Sequence, residues 1–103
     1  MRGDLMGLFE TGPVLVTVGI RNLMSAGDQA IDVIQRCLDR HCSGDWGDLC
    51  DDDKHMNDDS LEAEKSGGFV DRLFSSYDTD FGKIYIITEY DKSMTTILLP
   101  EEY

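Results

Sequence analysis

The residues with most capacity for chemistry lie between Ser43 and Gly68, SGDWGDLCDDDKHMNDDSLEAEKSGG. Here Asp45, Asp48, Asp51, Asp52, Asp53, Asp58, Asp59, Glu62 and Glu64 face one lysine, Lys54, before Lys65. Carboxylates at this density suggest calcium ligation, acid–base catalysis or electrostatic recognition. Counted from Asp51, acidic residues fall at positions 1, 3, 9 and 12 of a twelve-residue calcium loop, but Met56 occupies the position that needs glycine for its sharp turn. A catalytic carboxylate pair needs a cleft that drives two pKa values apart, whereas a solvated helix face does the reverse. Cys42, Cys50, His55 and His41 could be drawn together as zinc ligands, yet their spacing fits no familiar zinc pattern. No G-x-S-x-G elbow, P-loop or HExxH is present, so no catalytic residues, metal ligands or cofactor are expected. His41 and His55 read as surface residues near helix ends.

Electrostatic recognition remains. Asp51, Asp52 and Asp53 suit the first turn of a helix, where the helix dipole favours negative charge. Asp58, Asp59, Glu62 and Glu64 fall farther along, where the dipole no longer helps and like charges at i,i+3 and i,i+4 repel. A surface that tolerates this repulsion can serve a basic protein partner, or imitate the phosphates of a nucleic acid. A simple solvated face, useful for solubility, is the competing reading. Trp46, flanked by Gly44 and Gly47, either folds back onto the core or stands out as a binding anchor. The candidate partner-binding set is therefore Trp46, Asp51, Asp58, Asp59, Glu62 and Glu64.

These residues need a scaffold. Met1–Thr11 reads as an arm or a single helical turn, broken at Gly12-Pro13. Val14–Val18 is β-branched and reads as a short strand ended by Gly19, followed by one or two helical turns over Ile20–Ala26. Asp28 is placed to cap a helix to about His41, with Ile31, Ile34, Cys37 and Leu38 recurring on one face. Asp48 is placed to cap a second helix to about Ser66, whose thin apolar face holds Leu49, Met56, Ser60 and Ala63. The last third changes period. Phe69–Tyr77, Lys83–Tyr90 and Met94–Leu99 read as strands joined by turns at Asp78–Gly82 and Asp91–Ser93. The expected fold class is α+β: N-terminal helices packed on a C-terminal three-stranded antiparallel meander, with the early strand able to add at its edge. Residues 1–12 form an arm and 13–103 a single domain. A pocket between sheet and helices, lined by residues such as Arg72, Tyr85 or Glu89, would point to a small enzyme or ligand-binding protein instead.

Charge narrows the partners. With 21 acidic against 9 basic residues, the formal charge is −12. Direct binding to nucleic acid, which depends on lysine and arginine displacing counterions, is disfavoured, as is an anionic membrane. A basic or nucleic-acid-binding protein is the expected partner. No apolar run approaches the roughly 20 residues of a membrane-crossing helix. Asp4 and Glu10 interrupt any secretory leader, and three unpatterned cysteines fit a reducing cytoplasm.

Two blocks, SGDWGDLCDDDKHMND (Ser43–Asp58) and IITEYDKSMTTILLPEEY (Ile86–Tyr103), resemble a family of small plasmid- and phage-associated bacterial proteins of about this size. Its members carry similar S-G-D-W-G-D-L and I-T-E-x-D-x-S-x-T-T-I-L-L-P blocks, and the likeness spans about Val14 to Tyr103. Family labels include "plasmid-related protein" and "type I restriction-modification system subunit M". An adenine methyltransferase requires an Asn/Asp-Pro-Pro-aromatic motif, and Pro13 and Pro100 are the only prolines in the chain. The resemblance implies a non-enzymatic accessory protein of mobile elements, or an acidic DNA mimic that inhibits a host restriction or CRISPR system.

Overall fold

The computed structural model describes residues 8–68 and 70–103. Strand β1 (Val14–Val16) leads to helices α1 (Val18–Met24), α2 (Asp28–Cys42) and α3 (Asp51–Ser66). Strands β2 (Leu73–Thr79), β3 (Gly82–Thr88) and β4 (Thr95–Leu98) follow, and Pro100–Glu102 closes the chain as a 3-10 turn. The sheet order is β1-β4-β3-β2. β2, β3 and β4 form the antiparallel meander, and β1 joins β4 in parallel, with Val14 opposite Thr95 and Val16 opposite Ile97. The expected α+β class holds, with the early strand added at the edge of the meander, beside β4.

One sheet face carries Leu73, Ser75 and Tyr77 of β2, Ile84, Ile86 and Thr88 of β3, and Thr95 and Ile97 of β4. All are buried. Ile20 of α1 and Ile34 and Cys37 of α2 pack onto Tyr77, Ile84, Ile86 and Ile97 to make the core. The β2–β3 turn is tight because Thr79 pairs with Gly82, whose φ of 99° suits a residue without a Cβ.

Several boundaries move for local reasons. β1 stops at Val16 because Thr17 caps α1, its hydroxyl accepting the Ile20 amide at 3.4 Å, so Val18 and Gly19 are helical. Gly27, not Asp28, precedes α2 as its cap, and Asp28 lies in the first turn. Ile31 is exposed while Ala30 is buried, which rotates the buried stripe of α2 by one residue from the expected one. The three meander strands also start or end inside the predicted runs: β2 begins at Leu73, β3 ends at Thr88, and β4 is only four residues long.

The first seven residues of the expected arm lie outside the described residues. From Leu8 the chain is docked: the Leu8 amide donates to the Cys42 carbonyl at 2.8 Å, and Phe9 stacks on Trp46 at 6.2 Å. At the other end Glu102 ties the terminus to α1, its carboxylate accepting the Thr17 hydroxyl, the Gly19 amide and the Leu99 amide. These bonds, the Thr17 hydroxyl foremost, hold the Glu102 carboxyl below its ordinary range.

Candidate functional site

Helix α3 sits differently from the expectation. Its cap is Cys50, and the Asp48 amide instead donates to the Ser76 carbonyl at 2.7 Å. The residues it buries are Asn57 and Ser60, while Met56 is 60% exposed. The apolar seam is replaced by hydrogen bonds to the backbone of the β2 edge. Asn57 Nδ2 donates to the Phe74 carbonyl at 2.7 Å, and Asn57 Oδ1 accepts the Phe74 amide at 3.2 Å. Ser60 Oγ donates to the Asp71 carbonyl and accepts the Asp71 amide, both at 2.9 Å. Each side chain thus imitates a neighbouring strand, satisfying groups that an open edge would leave unpaired. Leu61, which fell outside the expected stripe, is half-buried beside them.

The loop before α3 completes this edge. The Ser76 amide donates to the Trp46 carbonyl, and Gly47 forms a bridge with Ser76. A Cβ at Gly47 would overlap the Ser76 carbonyl oxygen, so only glycine permits the approach. Arg40 clamps the loop through two hydrogen bonds to Asp45, Nε–Oδ2 at 2.7 Å and Nη2–Oδ1 at 3.2 Å. It lies over the Tyr77 ring, whose hydroxyl donates to the Asp45 carbonyl at 2.7 Å. The Arg40 bond holds the Asp45 carboxyl below its ordinary range, and burial raises the Tyr77 hydroxyl.

This clamp turns Trp46 inward. It is only 3% exposed, so the reading of Trp46 as an outward anchor fails and the core reading stands. Its indole N–H donates to Asp58 Oδ1 at 2.9 Å. The remaining candidates divide by their angle around α3. Glu64 lies on the sheet side and pairs with Lys92 at 3.4 Å. Asp58 flanks the helix against Trp46. Asp51, Asp52, Asp59 and Glu62 all point away from the sheet into solvent, and none takes part in an ion pair among the described residues.

His41 is the residue the sequence reading misplaced. It is fully buried, on the same stripe of α2 as Ile34 and Cys37, which its spacings of seven and four residues from them could have revealed. Its Nδ1 lies 2.5 Å from Ser75 Oγ and its Nε2 2.9 Å from Thr88 Oγ1. Thr88 Oγ1 contacts Thr95 Oγ1 at 2.7 Å, and the Thr95 hydroxyl donates to the Thr11 carbonyl at 2.8 Å. The single proton of each hydroxyl fixes the direction. Thr95 gives its proton to Thr11, so Thr88 donates to Thr95 and must accept from His41 Nε2–H. Nδ1 is then the acceptor for Ser75. Phe9 and Trp46 close over the ring edge-on, at 5.4 and 5.6 Å. Burial lowers the His41 pKa to about 4, leaving it neutral at pH 7. A serine hydroxyl on an imidazole nitrogen is also how nucleophiles are activated. Here neither residue has exposed surface, so no substrate reaches them and the chain works as a buried connector.

Among the described residues no three His, Cys, Asp or Glu side chains converge as metal ligands. A cleft of about 370 Å3 does open between α3 and the other sheet face, lined by Asp53, Met56 and Asn57 of the helix and by Arg72, Phe74, Tyr85 and Tyr103. Arg72 and Tyr85 line it and Glu89 does not, and it is an open cleft, not the closed cavity that a small enzyme or ligand-binding protein would be expected to carry. No helix among the described residues is long and apolar enough to cross a membrane. The site and fold define a small α+β domain with a four-stranded mixed sheet and an acidic edge helix. Comparison with protein-family models, curated proteins and solved structures finds no match in any of the three.

Proposed function

We propose that this is a non-enzymatic accessory protein that acts in the cytoplasm by binding a basic, nucleic-acid-binding protein through the outer face of α3. The observation carrying this reading is the separation of roles around the helix. Asn57 and Ser60 fix it to the sheet edge, Asp58 and Glu64 are held by Trp46 and Lys92, and Asp51, Asp52, Asp59 and Glu62 make no ion pair among the described residues. Rigidly presented carboxylates in the field of a strongly negative molecule accelerate encounter with a basic surface and orient it. The resemblance to plasmid- and phage-associated proteins suggests a mobile-element setting, in which the partner would belong to a restriction or other host defence system.

The test compares two variants of equal charge in capture of nucleic-acid-binding proteins from a bacterial lysate. One carries Asp51→Asn, Asp52→Asn, Asp59→Asn and Glu62→Gln. The other carries Glu10→Gln, Asp28→Asn, Asp32→Asn and Glu101→Gln, all exposed and outside α3. Loss of a salt-sensitive partner only with the first variant supports the reading. Equal retention by both variants assigns the acidic face to solubility alone. If the captured protein also releases its DNA on binding, the partnership is the DNA-mimic form of the same contact.

A further inference from the structure

We propose that the cleft beside α3 receives a single basic side chain, an arginine or lysine projecting from the protein partner. The proposal rests on the reading of a basic partner and names the place where it is anchored. The floor consists of three rings in mutual contact: Phe74 and Tyr85 with centroids 4.9 Å apart, and Tyr103 6.0 Å from each. Their planes meet at 70°, 50° and 85°, so ring faces as well as edges are presented. A cation is attracted to such faces, while the alkyl stem of lysine or arginine covers the adjoining apolar surface. Leu49 and Met56 supply that surface here.

Carboxylates decide the sign of the occupant. Asp53 on α3 and Asp71 ahead of β2 lie on the wall, against one cation, Arg72. Arg72 is already engaged: its guanidinium carbon lies 5.3 Å from the Tyr103 ring centre, and its Nη2 donates to the Tyr103 hydroxyl. One wall of the cleft therefore already packs a guanidinium against an aromatic ring; Asp53 remains to pair with a second cation, together with the outer oxygen of Asp71, whose Oδ1 accepts the Arg72 amide at 2.8 Å. The volume of about 370 Å3 holds a side chain of this size. Asp52 and Asp59 of the outer face stand four residues before and three residues after Met56 and so neighbour it on the helix surface, where a basic segment lying along that border can lower one residue into the cleft.

The experiment uses the full chain with labelled methionine methyl groups, titrated with a Gly/Ser nonapeptide carrying two arginines and with the same peptide carrying citrulline. Met56 lies in the wall, and Met94, in the β3–β4 connection, serves as the control. The expected result is a saturable shift of the Met56 signal with the arginine peptide only, weakened about tenfold by Asp53→Asn and by Tyr85→Leu. Asp53 is exposed, so its variant reports even where Tyr85→Leu disturbs packing. Equal shifts with the citrulline peptide, or unchanged affinity in Asp53→Asn, overturn the proposal. A response to inorganic phosphate instead of peptide also overturns it and makes the cleft an anion site around Arg72. If the outer-face variant of α3 loses the peptide while Asp53→Asn and Tyr85→Leu keep it, the cleft proposal falls and the partner class stands. If neither set matters, both fall.

Discussion

His41 shows how one side chain can organise a core without taking part in chemistry. Neutral, it joins α2 to β2, β3, β4 and the Thr11 segment through a chain in which every hydroxyl proton has an acceptor. Charging the ring would leave Nδ1 a second donor facing Ser75, inside apolar surroundings. The folded-state pKa of about 4 lies below the ordinary value of 6.5, so the unfolded chain binds the proton more readily. The stabilisation is complete above about pH 6.5 and is lost as pH falls towards 4, amounting to roughly 3 kcal/mol. Denaturant midpoints at pH 7.5 and 4.5 measure it, and in His41→Gln the difference between the two should shrink by that amount. The surface carboxylates titrate alike in both proteins, so the comparison isolates the imidazole.

At the scale of elements, α3 is held by polar groups rather than by an apolar stripe. Asn57→Leu keeps the branched side-chain skeleton but removes both bonds to Phe74, leaving a strand amide and carbonyl unpaired at a covered edge. A loss of about 1–3 kcal/mol is expected. Faster hydrogen exchange at the Phe74 amide would locate it. Met56→Gln, one residue away but largely exposed, should change stability by no more than about 0.5 kcal/mol. Periodicity alone could not have assigned these roles. It scores side chains by hydropathy, so it places Met56 on the buried face and gives Asn57 no role. The partner of Asn57 is a backbone edge 17 residues away, which no local pattern reports.

For the molecule as a whole, the charge of −12 acts in opposite directions on folding and on binding. Self-repulsion weakens the compact state, so added salt should raise the thermal midpoint as it screens exposed carboxylates. The same screening should weaken any basic partner. Melting curves and binding titrations between about 20 and 500 mM salt, about a fivefold change in Debye length, should therefore run in opposite directions. The amino-acid sequence was sufficient for the α+β class, the amphipathic α2, the three strands of the meander and the acidic character of α3, because these rest on composition and on periods of two or 3.6 residues. Tertiary structure decided the rest. It turned Trp46 inward beneath the Arg40–Asp45 clamp, buried His41 among hydroxyls, and separated Asp58 and Glu64, which are tied, from the four carboxylates of the outer face of α3, which make no ion pair among the described residues. It also brought Tyr103, in the segment after β4, against Phe74 and Tyr85 to form the cleft. Those outcomes depend on contacts between residues far apart in the chain, where hydrogen-bond satisfaction and close packing override the local preference of each residue.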